Sequence, residues 1–212
     1  MHDDLNTKYY FINNFDILNL PKIIAVSKTF KIDKILPLID HGHTDFGENK
    51  IQEAVDKWTE IKSNNSNIKL HMIGKLQSNK VKFAVKLFDY IHSVDSQKLA
   101  KKVADEQKKI NKRIKIFIQV NIGNEEQKSG INKTELRDLV LYCKKINLNV
   151  IGLMCIPPAN EDSSTYFKEI KLLNDSFDFT ELSMGMSSDF VEASKNSATY
   201  LRIGSSILGE RL

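Results

Sequence analysis

The chain of 212 residues contains few of the residues that mark secreted, membrane or metal-binding proteins. Its only cysteines are Cys143 and Cys155, too few for a disulfide framework and without a second set of ligands for a metal. No apolar run reaches the ~18 residues of a membrane span, and the first residues, MHDD, are polar and acidic. We therefore expect reduced thiols, no metal site, no membrane insertion and a cytoplasmic protein.

Arginine is also scarce, with four residues in the chain. The net charge of +4 comes from lysines spread along the sequence rather than from a basic block. Proteins that bind nucleic acids usually cluster their positive charge, so we expect no nucleic-acid partner. A hydrophobic content of 41% is ordinary for a globular protein.

Short apolar runs alternate with amphipathic stretches along the chain. The predicted strands are 22–28, 44–49, 69–74, 90–95, 115–121, 149–156, 181–186 and 200–205. The predicted helices between them are 31–41, 50–63, 78–87, 96–110, 133–146, 161–176 and 188–197, with an extra helix at 2–18. Apolar strands alternating with helices favour a parallel sheet covered by helices. The unbroken rhythm predicts a closed (β/α)8 TIM barrel of the α/β class, a single domain over residues 1–212.

Lys28 ends the first predicted strand, whose sequence is KIIAVSK. In barrels of this kind, functional groups lie at the carboxyl ends of the strands. Burial disfavours the ammonium form of lysine and leaves a neutral amine, which can condense with an aldehyde. Lys28 is therefore a candidate Schiff-base lysine for pyridoxal 5′-phosphate (PLP). The alternative is a lysine that ends the strand and extends its ammonium group into water.

Two segments late in the chain predict a phosphate site. Ser187 and Ser188 follow the seventh strand at the start of a helix, where unpaired N–H groups attract anions. Gly204 and Ser205 follow the eighth strand, where glycine allows close approach of a ligand and serine adds a hydroxyl. These two loops bind phosphate in many such barrels. The serine pair taken alone is also explained as a plain helix cap.

Arg202 precedes Gly204 by two residues and so faces the same side of its strand, towards the barrel interior. A guanidinium group inside a barrel requires a partner. One candidate is an interior carboxylate such as Glu48, and the other is the pyridine nitrogen of PLP. Because arginine stays protonated, the second arrangement would leave the ring nitrogen unprotonated and the ring a weak electron sink.

The residues at the strand ends together resemble the YggS/PROSC family of PLP homeostasis proteins. The resemblance runs from about residue 22 to the last residues, with motifs at the strand ends. The motifs are Ala25–Thr29, Phe46–Asn49 with Gln52–Glu53, His71–Gly74 with Leu76–Lys80, Ile91–Asp95, Gln119–Asn121 with Lys128–Gly130, Gly152–Met154, Leu182–Ser187 and Arg202–Ser205.

The resemblance implies a barrel like the N-terminal domain of bacterial alanine racemase, with PLP held as an internal aldimine on Lys28. The other residues that it implies around the cofactor are Arg202 at the ring nitrogen, Ser187, Gly204 and Ser205 at the phosphate, and Asn49 beside the cofactor. It implies a protein that stores or delivers PLP inside the cell, with indirect effects on amino-acid and keto-acid balance. Apo forms of PLP-dependent enzymes are the partners that this role suggests, and we expect a monomer.

Racemisation through PLP requires a second acid–base group on the opposite face of the substrate α-carbon. In alanine racemase, a tyrosine from a second domain of the partner subunit provides it. The present sequence ends at Leu212, directly after the last predicted strand, so we expect no such domain. The tyrosines, which lie before the barrel, at strand starts or in helices, are Tyr9, Tyr10, Tyr90, Tyr142, Tyr166 and Tyr200.

Three other side chains in the strands are more simply explained by structure than by catalysis. Cys155 is typical of a small buried hydrophobe, and His71 and His92 of hydrogen-bonded barrel residues. We therefore predict no catalytic residue and a PLP-binding protein that is not an enzyme. The alternatives are a PLP-dependent racemase or lyase acting on a small amino acid, and an aldolase-type Schiff-base barrel without cofactor.

Overall fold

Eight parallel strands form a closed barrel in the computed structural model, which describes residues 21–209. The strands are β1 Lys22–Val26, β2 Asp45–Glu48, β3 Lys69–Met72, β4 Tyr90–Val94, β5 Lys115–Val120, β6 Val150–Cys155, β7 Glu181–Ser183 and β8 Tyr200–Ile203. Each strand pairs with the next, and β8 pairs with β1, so the sheet has no open edge. The predicted (β/α)8 barrel is confirmed. The helix predicted at 2–18 lies outside the described residues.

Helices follow the strands in regular alternation. They are α1 Leu36–Asp40, α2 Ile51–Asn64, α3 Val81–Leu87, α4 Gln97–Lys109, α5 Lys133–Lys145, α6 Ser163–Ser176, α7 Phe190–Lys195 and α8 Ser205–Leu208. Short 3-10 turns, Ile32–Lys34 and Ser78–Lys80, precede α1 and α3. Within residues 21–209, no helix combines the length and the apolar character needed to cross a membrane.

The predicted strands are all present, but their carboxyl ends come earlier in the chain than predicted. Residues 27–28 and 184–186 lie in turns rather than in strands, and Ser205 begins α8 instead of ending β8. Just past the strand ends the backbone keeps single bonds to its neighbours, such as Ser27 N to the carbonyl oxygen of Gly47 and Met184 N to that of Tyr200, and then turns into the loops at the barrel mouth. Apolar and polar alternation does not reveal that departure, because it depends on where the neighbouring strand ends.

β2 forms although Asp45, Gly47 and Glu48 are poor strand formers. The strand pairs on both sides, with Phe46 opposite Ala25 of β1 and Leu70 of β3. The Phe46 ring is fully buried and packs against Trp58 of α2, with the ring centroids 4.8 Å apart. Pairing on both edges and burial of Phe46 therefore outweigh the weak intrinsic preference of its neighbours.

The interior of the barrel is filled near the amino-terminal ends of its strands. A buried cluster consists of Ile24, Tyr90, Phe117, Met154 and Tyr200. Tyr90 and Tyr200 are the first residues of β4 and β8, so their rings fill the barrel interior at the amino-terminal ends of these strands. The larger core lies between the strands and the helices, as is usual for this architecture.

We expect the close contact between β6 and β7 at Gly152 to tolerate no side chain. A Cβ atom at this position would lie 1.8 Å from the carbonyl oxygen of Glu181, a backbone atom that cannot turn away. The Gly152→Ala substitution should therefore lower the free energy of unfolding by about 3 kcal/mol or more, as measured by urea denaturation. Gly42→Ala is the control, since no atom lies within 4 Å of the place that its Cβ would take; its positive φ of 90° should cost about 1 kcal/mol. Equal losses in the two variants would contradict this prediction.

Candidate functional site

A cavity of about 370 Å³ opens at the carboxyl ends of the strands. It is lined by side chains and backbone from four strand ends, β1, β2, β6 and β8, and from the loops after β3 and β7. The lining residues are Val26, Lys28, Asn49, Ile73, Ile156, Met186, Ser187, Ser188, Arg202, Gly204 and Ser205. The six residues that the sequence analysis selected, Lys28, Asn49, Ser187, Arg202, Gly204 and Ser205, thus lie around one cavity.

The turn that carries Lys28 is held from both sides. Before it, the Ser27 hydroxyl donates to Glu48 Oε1 at 2.8 Å. After it, the Thr29 N–H donates to the carboxylate of Glu53 in α2. Thr29 has a φ of 68°, which a β-branched residue rarely adopts. Such a conformation persists only where the surroundings enforce it, so these contacts restrict the position of the Lys28 backbone.

A buried ion pair lies beneath this turn. Lys57 Nζ in α2 donates to Glu48 Oε1 at 2.9 Å, to Glu53 Oε1 at 3.0 Å and to the carbonyl oxygen of Ser27 at 2.8 Å. Trp58 Nε1 donates to the same Glu48 oxygen at 2.8 Å. Glu48 is fully buried, so removing either charge would leave the other without a partner in a dry environment. The pair therefore links α2, β2 and the end of β1.

Arg202 lies inside the barrel and is 4% exposed. Its Nη1 donates to Ser183 Oγ at 2.7 Å, and its Nη2 donates to the carbonyl oxygen of Cys155 at 2.8 Å. The alternative prediction of an ion pair with Glu48 is therefore wrong, because Glu48 bonds to the groups beneath the Lys28 turn. Both acceptors of Arg202 are neutral, and the guanidinium also lines the cavity.

The turns after β7 and β8 meet beside Arg202. The N–H of Gly204 donates to the hydroxyl of Ser187 at 3.4 Å, which joins the two turns. Ser205 starts α8, so its N–H has no acceptor within that helix. Asp189 occupies the N-cap position of α7 without a side-chain capping hydrogen bond; its Oδ1 accepts from Met186 N at 2.6 Å and tightens the turn instead.

A second cavity of about 330 Å³ adjoins the first and shares Asn49, Ile73 and Ile156 with it. Lys75 and Lys128 line this second cavity and not the first. Lys128 donates to the carbonyl oxygen of Pro157 at 3.0 Å and pairs with Glu125. Among the lysines in residues 21–209, Lys28 is therefore the one that lines the first cavity together with Arg202.

The two cysteines are buried and form no disulfide with each other. Burial raises the pKa of Cys155 to about 12, despite the opposing effect of the Arg202 charge. The thiol is therefore protonated at neutral pH and cannot act as a base there. His71 and His92 are hydrogen bonded inside the barrel, as predicted. Glu53 and Ser183 lie within motifs of the family resemblance, but no role was predicted for them or for Lys57, since each acts through a neighbour in space.

The closed barrel and a lysine at the end of β1 facing a serine-rich turn define the class of alanine racemase-type barrels. The family model of the alanine racemase N-terminal domain matches residues 16–211. The chain belongs to the family of pyridoxal phosphate homeostasis proteins. It is 36% identical to the member from Haemophilus influenzae, over 91% of this chain and 86% of that protein. It is 38% identical to the human member, over 90% of this chain and 77% of that protein.

Solved structures show the same likeness. PipY of Synechococcus elongatus, determined with PLP bound, superposes with a TM-score of 0.89 and 30% sequence identity over 97% of this chain and all of that one. Alanine racemase from Clostridium difficile superposes with a TM-score of 0.77 at 15% identity, over 97% of this chain and 56% of the enzyme. The second comparison shows a shared fold. The family resemblance found in the sequence is thus confirmed.

Buried histidines should make the protein less stable in mildly acidic solution. Burial lowers the pKa of His43, His71 and His92 below the usual value of 6.5. Below about pH 6.5 the unfolded chain therefore binds more protons than the native protein, and the free energy of unfolding should fall as the pH falls. Each histidine contributes up to about 1.4 kcal/mol per pH unit. Urea denaturation at about pH 7.5, 6 and 5 measures this slope, and equal stability across the series would contradict the prediction.

Proposed function

We propose that this protein binds PLP in the cavity at the carboxyl ends of its strands and serves in PLP homeostasis by storing or delivering the cofactor. The observation that supports this most strongly is that an amine, two serine hydroxyls and a buried guanidinium surround one cavity. PLP carries an aldehyde, a phosphate and a pyridine nitrogen, for which these groups are matching partners. The names of the relatives and the PLP in the PipY structure support the same proposal.

Each side chain has a distinct part in this proposal. Lys28 provides the amine that would hold the aldehyde carbon. The hydrogen bonds of Ser27 and Thr29 fix the turn around Lys28 and so restrict where that amine can reach. Ser187, Gly204 and Ser205 provide hydroxyl and N–H donors for the phosphate. Arg202 would face the ring nitrogen and, because it remains protonated, would leave that nitrogen unprotonated. Asn49 lines both cavities and would lie beside the cofactor.

The cofactor would supply an aldehyde and an electron-accepting ring, but turnover needs acid–base groups from the protein as well. Among the described residues that line the cavity, Lys28 and Arg202 are the only titratable ones. Arginine does not release its proton at neutral pH, and the nearby thiol of Cys155 is kept protonated by burial. We therefore propose a carrier role rather than racemisation or another reaction on an amino acid.

The attachment residue can be tested with borohydride, which reduces a lysine–PLP linkage to a stable adduct. Lys28→Ala should abolish the pyridoxyl adduct detected by mass spectrometry. Lys75→Ala and Lys128→Ala are matched controls, because both lysines line the adjoining cavity, and they should keep most of the adduct. An adduct that persists in Lys28→Ala would show that another lysine holds the cofactor. A wild-type protein without visible PLP absorbance would favour the aldolase-type alternative.

The carrier role can be separated from catalysis by hydrogen exchange. The PLP-loaded protein should not exchange the α-hydrogen of small amino acids such as alanine for deuterium at catalytic rates, because one face of the substrate lacks an acid–base group. Proton NMR in deuterium oxide measures this exchange, with alanine racemase as a positive control. Exchange at an enzymatic rate, lost in Lys28→Ala, would overturn the carrier proposal and favour a racemase or lyase.

A further inference from the structure

A chain of hydrogen bonds crosses the barrel interior from Asp45 to Arg202. Asp45 Oδ1 lies 3.0 Å from His71 Nε2, and His71 Nδ1 lies 3.0 Å from His92 Nε2. His92 Nδ1 lies 2.9 Å from Ser183 Oγ, which accepts from Arg202 Nη1 at 2.7 Å. Asp45 is the first residue of β2, so the chain connects the amino-terminal side of the barrel to the cavity side.

The middle members of this chain are packed on all sides. His71, His92 and Ser183 have no exposed surface. The His71 ring stacks on Tyr90 with centroids 4.1 Å apart, and the His92 ring stacks on Phe117 at 4.3 Å. Both nitrogens of each ring are used within the chain. The rings therefore have one orientation, and the hydrogen-bond direction depends on which nitrogen of each carries the hydrogen.

Charge decides the direction of the hydrogen bonds. Burial lowers the pKa of both His71 and His92, so each ring is neutral and has one N–H. Burial alone would raise the pKa of Asp45, but the hydrogen bonds from His71 and Thr44 lower it, so Asp45 is an ionised acceptor. His71 must then donate from Nε2 and accept at Nδ1.

The same reasoning extends to the other end. His92 donates from Nε2 to His71 and accepts at Nδ1, so the Ser183 hydroxyl donates to His92 and accepts from Arg202. All four hydrogen bonds thus point from Arg202 towards Asp45. Reversing the three bonds between Asp45 and Ser183 would require a proton on Asp45, and the bond from Arg202 cannot reverse because arginine has no acceptor.

We propose that Asp45, His71, His92 and Ser183 are positioning residues for Arg202. The directed chain holds the guanidinium through a neutral hydroxyl and ends at the carboxylate of Asp45, at the other side of the barrel. No carboxylate accepts from Arg202 among the described residues, and its two hydrogen bonds leave three of its five N–H donors. Arg202 therefore keeps N–H donors for a group in the cavity that it lines, while Asp189 acts on it through its charge and not through a hydrogen bond. Its contact with the ring nitrogen of PLP rests on the proposed function.

The direction of the chain can be read in the full-length protein after the cofactor has been removed with hydroxylamine. Nitrogen-15 NMR of labelled histidine should show the Nε2–H form for both His71 and His92. Asp45→Asn should change the His71 signals, because the anionic acceptor is lost. Asp105→Asn is the control, an exposed carboxylate that pairs with Lys101 away from the chain, and it should leave the tautomers as they are. The Nδ1–H form of either ring in the wild type would overturn the proposed direction.

The effect on Arg202 can be read in the PLP-loaded protein. Ser183→Ala should keep the borohydride-reducible adduct on Lys28 but weaken PLP binding about tenfold and shift the visible absorbance, because Arg202 loses its acceptor. Ser183→Thr keeps the hydroxyl and should restore both. Asp45→Asn should shift the absorbance in the same direction, and it replaces Ser183→Ala if that variant does not fold. A folded variant with unchanged affinity and spectrum would overturn the positioning role. A wild-type protein that forms no adduct would instead overturn the proposed function.

Discussion

The pairing of β8 with β1 is the constraint on which the site depends. In this register Ile24 lies opposite Arg202 and Ala25 opposite Ile203. The first and last strands of the chain thereby become neighbours, and Lys28 comes to the same cavity as Arg202 and Ser205. A shift of one residue would turn the Lys28 side of the strand towards the helices. Closure of the barrel therefore determines which residues can act on one ligand.

Two buried cations near the cavity are stabilised in different ways. Lys57 pairs directly with Glu48 and Glu53, and that pair supports the backbone around Lys28. Arg202 instead donates to a hydroxyl and a carbonyl oxygen, and a chain of hydrogen bonds through two histidines connects it to the carboxylate of Asp45. A direct ion pair satisfies a buried charge locally. Neutral acceptors hold the charge in place while leaving it available to a ligand in the cavity.

The likeness to alanine racemase shows how little the fold alone says about activity. The barrel superposes over nearly the whole chain at 15% identity, yet a shared barrel hosts many functions. Acid–base chemistry depends on which titratable groups face the bound molecule. In the part of the chain that the structure describes, Lys28 and Arg202 are those groups, while Cys155 is held in its protonated form by burial. The carrier proposal follows from that lining rather than from the barrel.

Much of this molecule could be predicted from its sequence. The alternation of apolar strands and amphipathic helices determined the barrel, and the rule that ligands bind at the carboxyl ends of strands selected six residues that line one cavity. Both signals are local, since each can be read within a strand and the turn that follows it. The strand ends were placed too late, because hydrogen-bond pairing with the neighbouring strand decides where a ladder stops.

Only the tertiary structure decided which buried polar groups are partners. Glu48 and Arg202 both face inwards in the sequence pattern, but Glu48 bonds to Lys57 and Trp58, and Arg202 to Ser183. The link from Asp45 through His71 and His92 likewise joins residues of different strands. Distances of about 3 Å between such residues depend on register, on side-chain packing and on closure of the barrel. None of these is encoded in a short stretch of sequence, which is why the fold was predictable and its internal connections were not.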